Sequence, residues 1–380
     1  MFWYVFRSIQ RPTGAFLTAY SEMDPRGVES ISTSDSGALN IGTSVVCASA
    51  RACVTLPPDI LASWQDGENV IYLLPKTEHT PPVLPHDYPQ EKLEHHLIYE
   101  AGSANAVWTI GNEAVCKVQA WKKNYQSESE TIAFVREQAP TIPVPEVIYS
   151  WIDPSINRSF LIMRRIKART LESAWPQMTH QQRLNVAREV AAHTATLARI
   201  TCGRLQTISG YGIRTPRLMQ SYNHHSPIHN WFPRTIGPLS ATEYREYMRS
   251  TSSAPPPQFD DTMVLFHDDQ GPTNILVSDS GDKLVAVIDW ANVAYVPRFW
   301  VATVPIANTG GFSLFENGRD AWARMLVAAL KAHEFDEQLQ EWKKWYDQQP
   351  KPEYDTEKDL LEWSKVQRRG IPGPKPFLKE

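Results

Sequence analysis

The pattern of apolar and polar positions changes character near residue 95. Leu97-Ile-Tyr-Glu-Ala-Gly102, Ala106-Val-Trp-Thr-Ile110 and Ala114-Val-Cys-Lys-Val118 are short β-type runs. Turn residues separate them at Gly102-Ser-Ala-Asn105 and Gly111-Asn-Glu113, so three strands are predicted. A helix is predicted over about 126–138, with Ile132 and Val135 on one side and Pro140 beyond its end. Ile142-Pro-Val-Pro145 leads into an extended run, 146–151, and a fifth strand follows at 159–164. The second half reads as mainly helical. Thr179 with Gln182 has capping-box spacing, and Leu184, Ala187, Ala191, Thr194 and Ala198 form one stripe beside Val186, Val190 and Leu197. Ser240 and Glu243 repeat that spacing, and residues 321–333 carry Trp322, Met325, Leu326, Ala329 and Leu330 at helical intervals.

The ends of the chain lack such order. Residues 1 to about 55 are rich in Ser, Thr, Gly and Ala without sustained periodicity, which predicts a loosely structured segment. Residues 56–92 are Pro-rich and are broken by Val70-Ile-Tyr-Leu-Leu74, one strand or short helix in a connector. The predicted organisation is therefore a poorly ordered extension and connector over 1–92, a sheet-bearing unit over 93–166, a helical unit over 167–349 and a tail over 350–380. Trp363 is a candidate anchor for a last helix in that tail.

Composition narrows the class. The 380 residues are 42% hydrophobic and 21% charged, enough for an ordinary core. A net charge of −4 and the absence of a basic block argue against nucleic acid as partner. No apolar run reaches the ~18 residues of a membrane-spanning helix. Cys47, Cys53, Cys116 and Cys202 lack paired metal spacing, and Cys116 sits in an apolar strand, so a reducing, cytoplasmic setting is expected. The acid-free stretch 1–21 with Arg7 and Arg11 offers a mitochondrial presequence as the alternative. A monomer is expected.

The most informative stretch is His267-Asp-Asp-Gln-Gly-Pro-Thr-Asn274, followed by Val287-Ile-Asp-Trp290. Asp269 lies five residues before Asn274, and Asp289 lies fifteen residues after it. Phosphoryl transfer needs such a set: one oxygen to orient and accept the proton of a hydroxyl, and two hard oxygen ligands for Mg²⁺ beside the phosphates. Asp268 competes with Asp269 for the first role. Only Asp269 stands two residues after His267 and three before Pro272.

This spacing resembles the aminoglycoside phosphotransferase-like (APH) branch of the kinase fold over roughly residues 97–335. The Ile-Asp-Trp ending looks like the small-molecule branch, and the Ala-Pro-Glu segment of protein kinases is missing. The resemblance implies an α+β, bilobal protein-kinase-like fold, with a small antiparallel-sheet N-lobe and a mainly helical C-lobe. It implies an ATP-dependent kinase, with GTP possible, acting on a hydroxyl of a small molecule with Mg²⁺ as cofactor. Lys117 would contact the α- and β-phosphates, with Lys122 and Lys123 as alternatives. Glu128 would hold that lysine, with Glu130 as rival. Gly102 and Ser103 would belong to the turn covering the nucleotide, and backbone near Met163 to Ile166 would meet the base. Asp269 would be the base, His267 an organiser of its loop, and Asn274 and Asp289 the metal ligands.

Two departures stand out: Asp268 where the family often has glycine, and Gln270 for the usual leucine. They motivate a second reading, a non-catalytic nucleotide-binding module, and a protein kinase is a third. The acceptor is open among choline-like alcohols, sugars and amino alcohols, because acids and bases mix almost evenly over 314–380, unlike the acidic surface an aminoglycoside needs. Acceptor contacts are expected in the insert 202–258 and at Tyr295, Phe299 and Trp300, residues that dense aromatic packing would also explain. His224, His225 and His229 lie near no acid or cysteine and read as a loop or acceptor rim, not a metal site.

Overall fold

The computed structural model describes residues 30–34, 37–76, 93–101, 105–220, 235–308, 310–314 and 318–350. Gly102, Ser103, His224, His225, His229, Trp363 and the stretch 1–21 lie outside them. Strands β6 (His95–Ala101), β7 (Asn105–Ile110), β8 (Ala114–Ala120), β9 (Val147–Asp153) and β10 (Arg158–Arg164) form one antiparallel sheet, ordered β6-β7-β8-β10-β9. Helix α1 (Glu128–Gln138) lies between β8 and β9 in the chain and buries Ile132 and Val135.

Residues 31–75, expected to be loosely structured with a single strand or helix at 70–74, instead form a complete second sheet. Its strands are β1 (Ile31–Thr33), β2 (Leu39–Ile41), β3 (Val45–Arg51), β4 (Ala62–Asp66) and β5 (Asn69–Pro75), ordered β1-β2-β3-β5-β4. The reason for the mismatch lies in β3. Cys47, Ala48 and Ala50 are all buried, although they point to opposite faces. A strand buried on both sides shows no alternation, and one built from small residues looks like a polar linker. Leu39, Ile41, Val45, Cys47, Ile71 and Leu73 share one core with Ile110, Cys116, Val118, Phe160 and Ile162 of the neighbouring sheet.

Two carboxylates stitch the sheets together. Asp66 accepts from the backbone N–H groups of Asn112 (2.7 Å) and Glu113 (3.3 Å) and from Asn112 Nδ2 (3.2 Å). Asp153 Oδ2 accepts from both the N–H (2.8 Å) and the hydroxyl (2.7 Å) of Thr43. Gly111 has φ +61°, and a Cβ there would stand 2.0 Å from Asp66 Oδ2. Only glycine permits that approach.

Beyond the short helix α2 (Leu171–Ala174) lies helix α3 (His180–Leu197), whose Val186, Val190 and Leu197 are buried. Helix α6 (Ala321–Lys331) packs on it, and helices α4 (Ala241–Thr251), α5 (Arg298–Ala307) and α7 (Leu339–Asp347) share the same core. Strands β11 (Met263–His267) and β14 (Val293–Pro297) pair with each other, and β12 (Ile275–Val277) pairs with β13 (Leu284–Val287). Among the described residues no helix is long and apolar enough to cross a membrane.

Asp66→Ala removes three acceptor contacts from a half-enclosed turn. It is expected to lower stability by about 1–3 kcal/mol, read as a reduced urea midpoint. An unchanged midpoint would show that the two sheets hold without this link.

Candidate active site

Lys117 sits at the centre of β8, between Val107 and Leu161 on the flanking strands. Its ammonium lies 2.7 Å from Glu128 Oε2 and 2.7 Å from Asp289 Oδ1. Lys122 and Lys123, the alternatives in the sequence, are exposed beyond the strand. Glu130 is also accounted for: its carboxylate accepts from Ser127 N–H at 3.0 Å in the capping box of α1. Helix geometry then separates the two acids, because Glu128 points inward while Glu130 closes the helix end. Burial alone would lower the Lys117 pKa, but Asp289 and then Glu128 overcome it and hold it above its ordinary value. Burial raises the Asp289 carboxyl, and the Lys117 charge outweighs that, leaving it below the usual carboxylate range.

Glu128 does more than face the lysine. Its Oε1 accepts the N–H of Trp290 at 3.0 Å, so the helix of one lobe grips the backbone beside Asp289. Asp289 adopts φ 64° and ψ 60°, a left-handed conformation uncommon for a residue with a side chain. The flanking hydrogen bonds hold it there. Ile288 N–H donates to Asn274 O at 2.9 Å, and His267 Nε2 meets Ile288 O at 3.2 Å.

The loop joining β11 to β12 carries the other residues. His267 Nδ1 accepts the N–H of Asp269 at 3.2 Å, so Nε2 carries the proton toward Ile288 O. Burial depresses its pKa, and the ring stays neutral and serves as a brace. Asn274 Nδ2 donates to Asp269 O at 2.9 Å, which directs the amide nitrogen into the loop and leaves the amide oxygen for another partner. Gln270 is buried, and its amide exchanges hydrogen bonds with the Thr194 hydroxyl at 2.9 and 3.1 Å. A leucine could not make that link to α3. Gly271 was overlooked in the sequence, yet a Cβ there would stand 2.0 Å from Gly311 O.

Asp268, the second acid, is already engaged. Its Oδ1 accepts from Trp300 Nε1 at 2.8 Å and its Oδ2 from the Thr215 hydroxyl at 3.0 Å. Burial pushes its carboxyl up to about 7, against the pull of those two donors. Asp268 therefore ties the loop between β11 and β12 to α5 and to the insert.

Between the two lobes lies a cavity of about 700 Å³. Lys117, Glu128, Asp269, Asn274 and Asp289 all border it. Val107, Val115, Met163 and Ile166 line an apolar section, and the Ile166 N–H has no backbone partner among the described residues. Trp300 borders the cavity as well, while Phe299 is buried in the core and Tyr295 nearly so. Tyr99, Arg214 and Thr215 also line it; none was singled out by sequence. Tyr99 continues the run of β6, and the arginine and threonine lie in an insert without a motif.

The model of the APH phosphotransferase enzyme family matches residues 99–329, which holds every residue just described. The chain belongs to the APH phosphotransferase family. Similar solved structures include an aminoglycoside 3'-phosphotransferase of type VIII, at 18% identity and TM-score 0.43, covering 69% of this chain and 94% of that one. Another is the streptomycin–ATP ternary complex of APH(2'')-IIa, at 16% identity and TM-score 0.41, covering 63% and 78%. A third, the GDP complex of aminoglycoside 2'-phosphotransferase-IIIa, has 14% identity and TM-score 0.43, covering 74% and 89%. No curated protein matches the chain. Family membership accords with the α+β, bilobal kinase-like architecture expected from the sequence.

Asp268 generates a pH prediction. The folded chain holds this proton up to about pH 7, and the unfolded chain releases it near ~4. Between those values the folded state binds more protons, so this group's contribution is full at low pH and is lost as pH rises through 7. Asp268→Asn cannot ionise and keeps an oxygen for Trp300. The thermal midpoint of the variant relative to wild type is expected to climb from pH 5 to pH 8. A difference that stays flat over that range would contradict a raised Asp268.

Proposed function

We propose that the protein is an ATP-dependent kinase that transfers the γ-phosphoryl group to a hydroxyl of a small molecule. The observation that carries this reading is the shared ammonium of Lys117. It joins Glu128 of one lobe to Asp289 of the other at 2.7 Å each, above a loop that presents Asp269 to the same cavity. Asp269 orients the acceptor hydroxyl and takes its proton as the oxygen–phosphorus bond forms and the bridging bond to ADP breaks. Positioning matters more than basicity there, because the transition state is loose. Lys117 supplies positive charge to the nucleotide phosphates. Apolar Val107, Val115 and Met163 suit a purine, and the Ile166 N–H, without a backbone partner among the described residues, suits its edge.

The residues present fit Mg²⁺. Asp289 keeps 36% of its side chain exposed toward the cavity, and the Asn274 oxygen is left over by the loop. Among the described residues no three His, Cys, Asp or Glu side chains form a metal cluster. A two-ligand protein site agrees with an ion that completes its shell from phosphate oxygens and water. When bound, Mg²⁺ would neutralise charge on the phosphates.

The non-catalytic alternative drew its force from two adjacent acids in one loop. Trp300 and Thr215 occupy Asp268, so it does not displace Asp269 from the hydroxyl-facing role.

Asp269→Asn is expected to reduce turnover by about 10²–10⁴-fold while leaving Mg·ATP binding intact. The assay follows label from ATP into a metabolite extract, with binding followed separately by thermal shift. Full turnover by Asp269→Asn would remove the role given to that carboxylate. Asp289→Ala should abolish metal-dependent turnover and keep the circular dichroism of the fold; activity that survives would reject it as a metal ligand.

A further inference from the structure

The insert brings two guanidinium groups to the cavity on a fixed loop, residues 213–217. Ile213 exchanges backbone hydrogen bonds with Ile236 at 2.8 and 3.0 Å. Thr215 donates to Asp268 at 3.0 Å, and Arg214 Nη2 donates to Ala291 O at 2.7 Å, two residues past Asp289. The Arg214 guanidinium also lies over the Tyr125 ring, 5.3 Å from its centroid. The loop is thus tied to the catalytic loop, to the segment after Asp289 and to the entry of α1. Arg214 and Arg217 both border the cavity.

Arg214 is half-buried in the wall, and no carboxylate among the described residues lies within 4.0 Å of it. A guanidinium has five N–H donors, and Ala291 O uses one. Asp289 and Glu128 act on the Arg214 charge only from beyond ion-pair distance, and drawing a guanidinium away from water without a direct ion pair is costly, so the position suits a group that an anion completes.

The acids of the cavity point the same way. Asp268 has both oxygens engaged by Trp300 and Thr215. Glu128 and Asp289 are committed to Lys117. Glu172 also borders the cavity, and its N–H donates to Pro272 O at 3.0 Å, in the loop that carries Asp269. Asp269 remains, and it is the base. Beside Arg214 an ammonium-bearing acceptor would meet like charge, whereas an anionic one would meet a guanidinium with donors to spare.

We propose that the acceptor is an alcohol that also carries a compact anion, a carboxylate or a phosphate ester, held by Arg214 with Arg217 beside it. This inference rests on the kinase reading above.

The test uses the full chain with labelled ATP and three probe sets: D-glycerate and L-malate; glycerol 3-phosphate and glucose 6-phosphate; choline and kanamycin. Thermal shift by Mg·ATP without acceptor is measured in parallel. Loss of that shift reports failure of the kinase reading, separately from the acceptor. Label is expected in the first or the second set, and which of the two accepts it identifies the anion. Arg214→Lys should then raise the acceptor KM at least tenfold and leave the ATP KM within twofold. Arg217→Gln, at the second cavity position, should raise the acceptor KM in the same sense even if Arg214→Lys does not fold. Three outcomes overturn the proposal: label confined to choline or kanamycin; no label in either anionic set while Mg·ATP still binds; or an Arg214→Lys effect on ATP alone, which assigns the guanidinium to the nucleotide.

Discussion

One buried ammonium with two carboxylates holds the arrangement together. Lys117 is 8% exposed at its side chain and Glu128 2%, so their pairing is made with little water to weaken it. Desolvating three charges is expensive, and removing one member of such a group costs more than the pair contributes. The triad also carries a net charge of −1 when all three groups are ionised. A cavity wall with that residual charge suits a cation, and the exposed member, Asp289, is where one would be met. The same contact sets the lobes in register, because Glu128 comes from the first helix and Asp289 from the far side of the cleft.

The left-handed backbone at Asp289 makes sense within that frame. Its φ of 64° turns the carboxylate toward Lys117 and aims the next N–H at Glu128. A strained residue persists only where its surroundings over-determine it. Here three hydrogen bonds do so, from Glu128, Asn274 and His267. Indole groups do comparable work near the loop that follows β11. Trp322 Nε1 donates to Gln270 O, Trp290 Nε1 to Val287 O, and Trp342 Nε1 to Arg217 O, each within 3.0 Å. In these three tryptophans a large apolar body fills the core while the single donor fixes a backbone carbonyl.

The sequence was legible where spacing encodes backbone geometry. His267, Asp269, Asn274 and Asp289 could be found because two short strands and one loop leave few ways to present those side chains. Lys117 and Glu128 were less certain, since neighbouring residues of the same type offered rivals; the capping box around Glu130 is the signal that separates the acids. Gln270 looked like a departure and proved to have a partner, Thr194, that lies far away in the chain. Arg214 and Thr215 lie in the insert 202–258, where acceptor contacts were expected, but nothing singled them out within it. Their positions depend on how an insert without regular periodicity folds back over the loop, and that is set by tertiary contacts alone. The sheet over 31–75 escaped notice for a different reason, because burial on both faces erases the alternation by which strands are read.

That second sheet reaches the cavity through β8. An antiparallel sheet can leave one face to water. In this protein Ala114, Cys116 and Val118 of β8 pack against the added sheet, while Val115, Lys117 and Gln119 face the cavity. The strand that carries the lysine is therefore enclosed from behind as well as in front. Close packing transmits displacement, so a shift of Cys47 or Ile71 against that back face would be felt at Lys117 without any change in the cavity itself. The sheet β1–β5 thus braces the strand that carries Lys117, fastened at its corners by Asp66 and by the Thr43–Asp153 link.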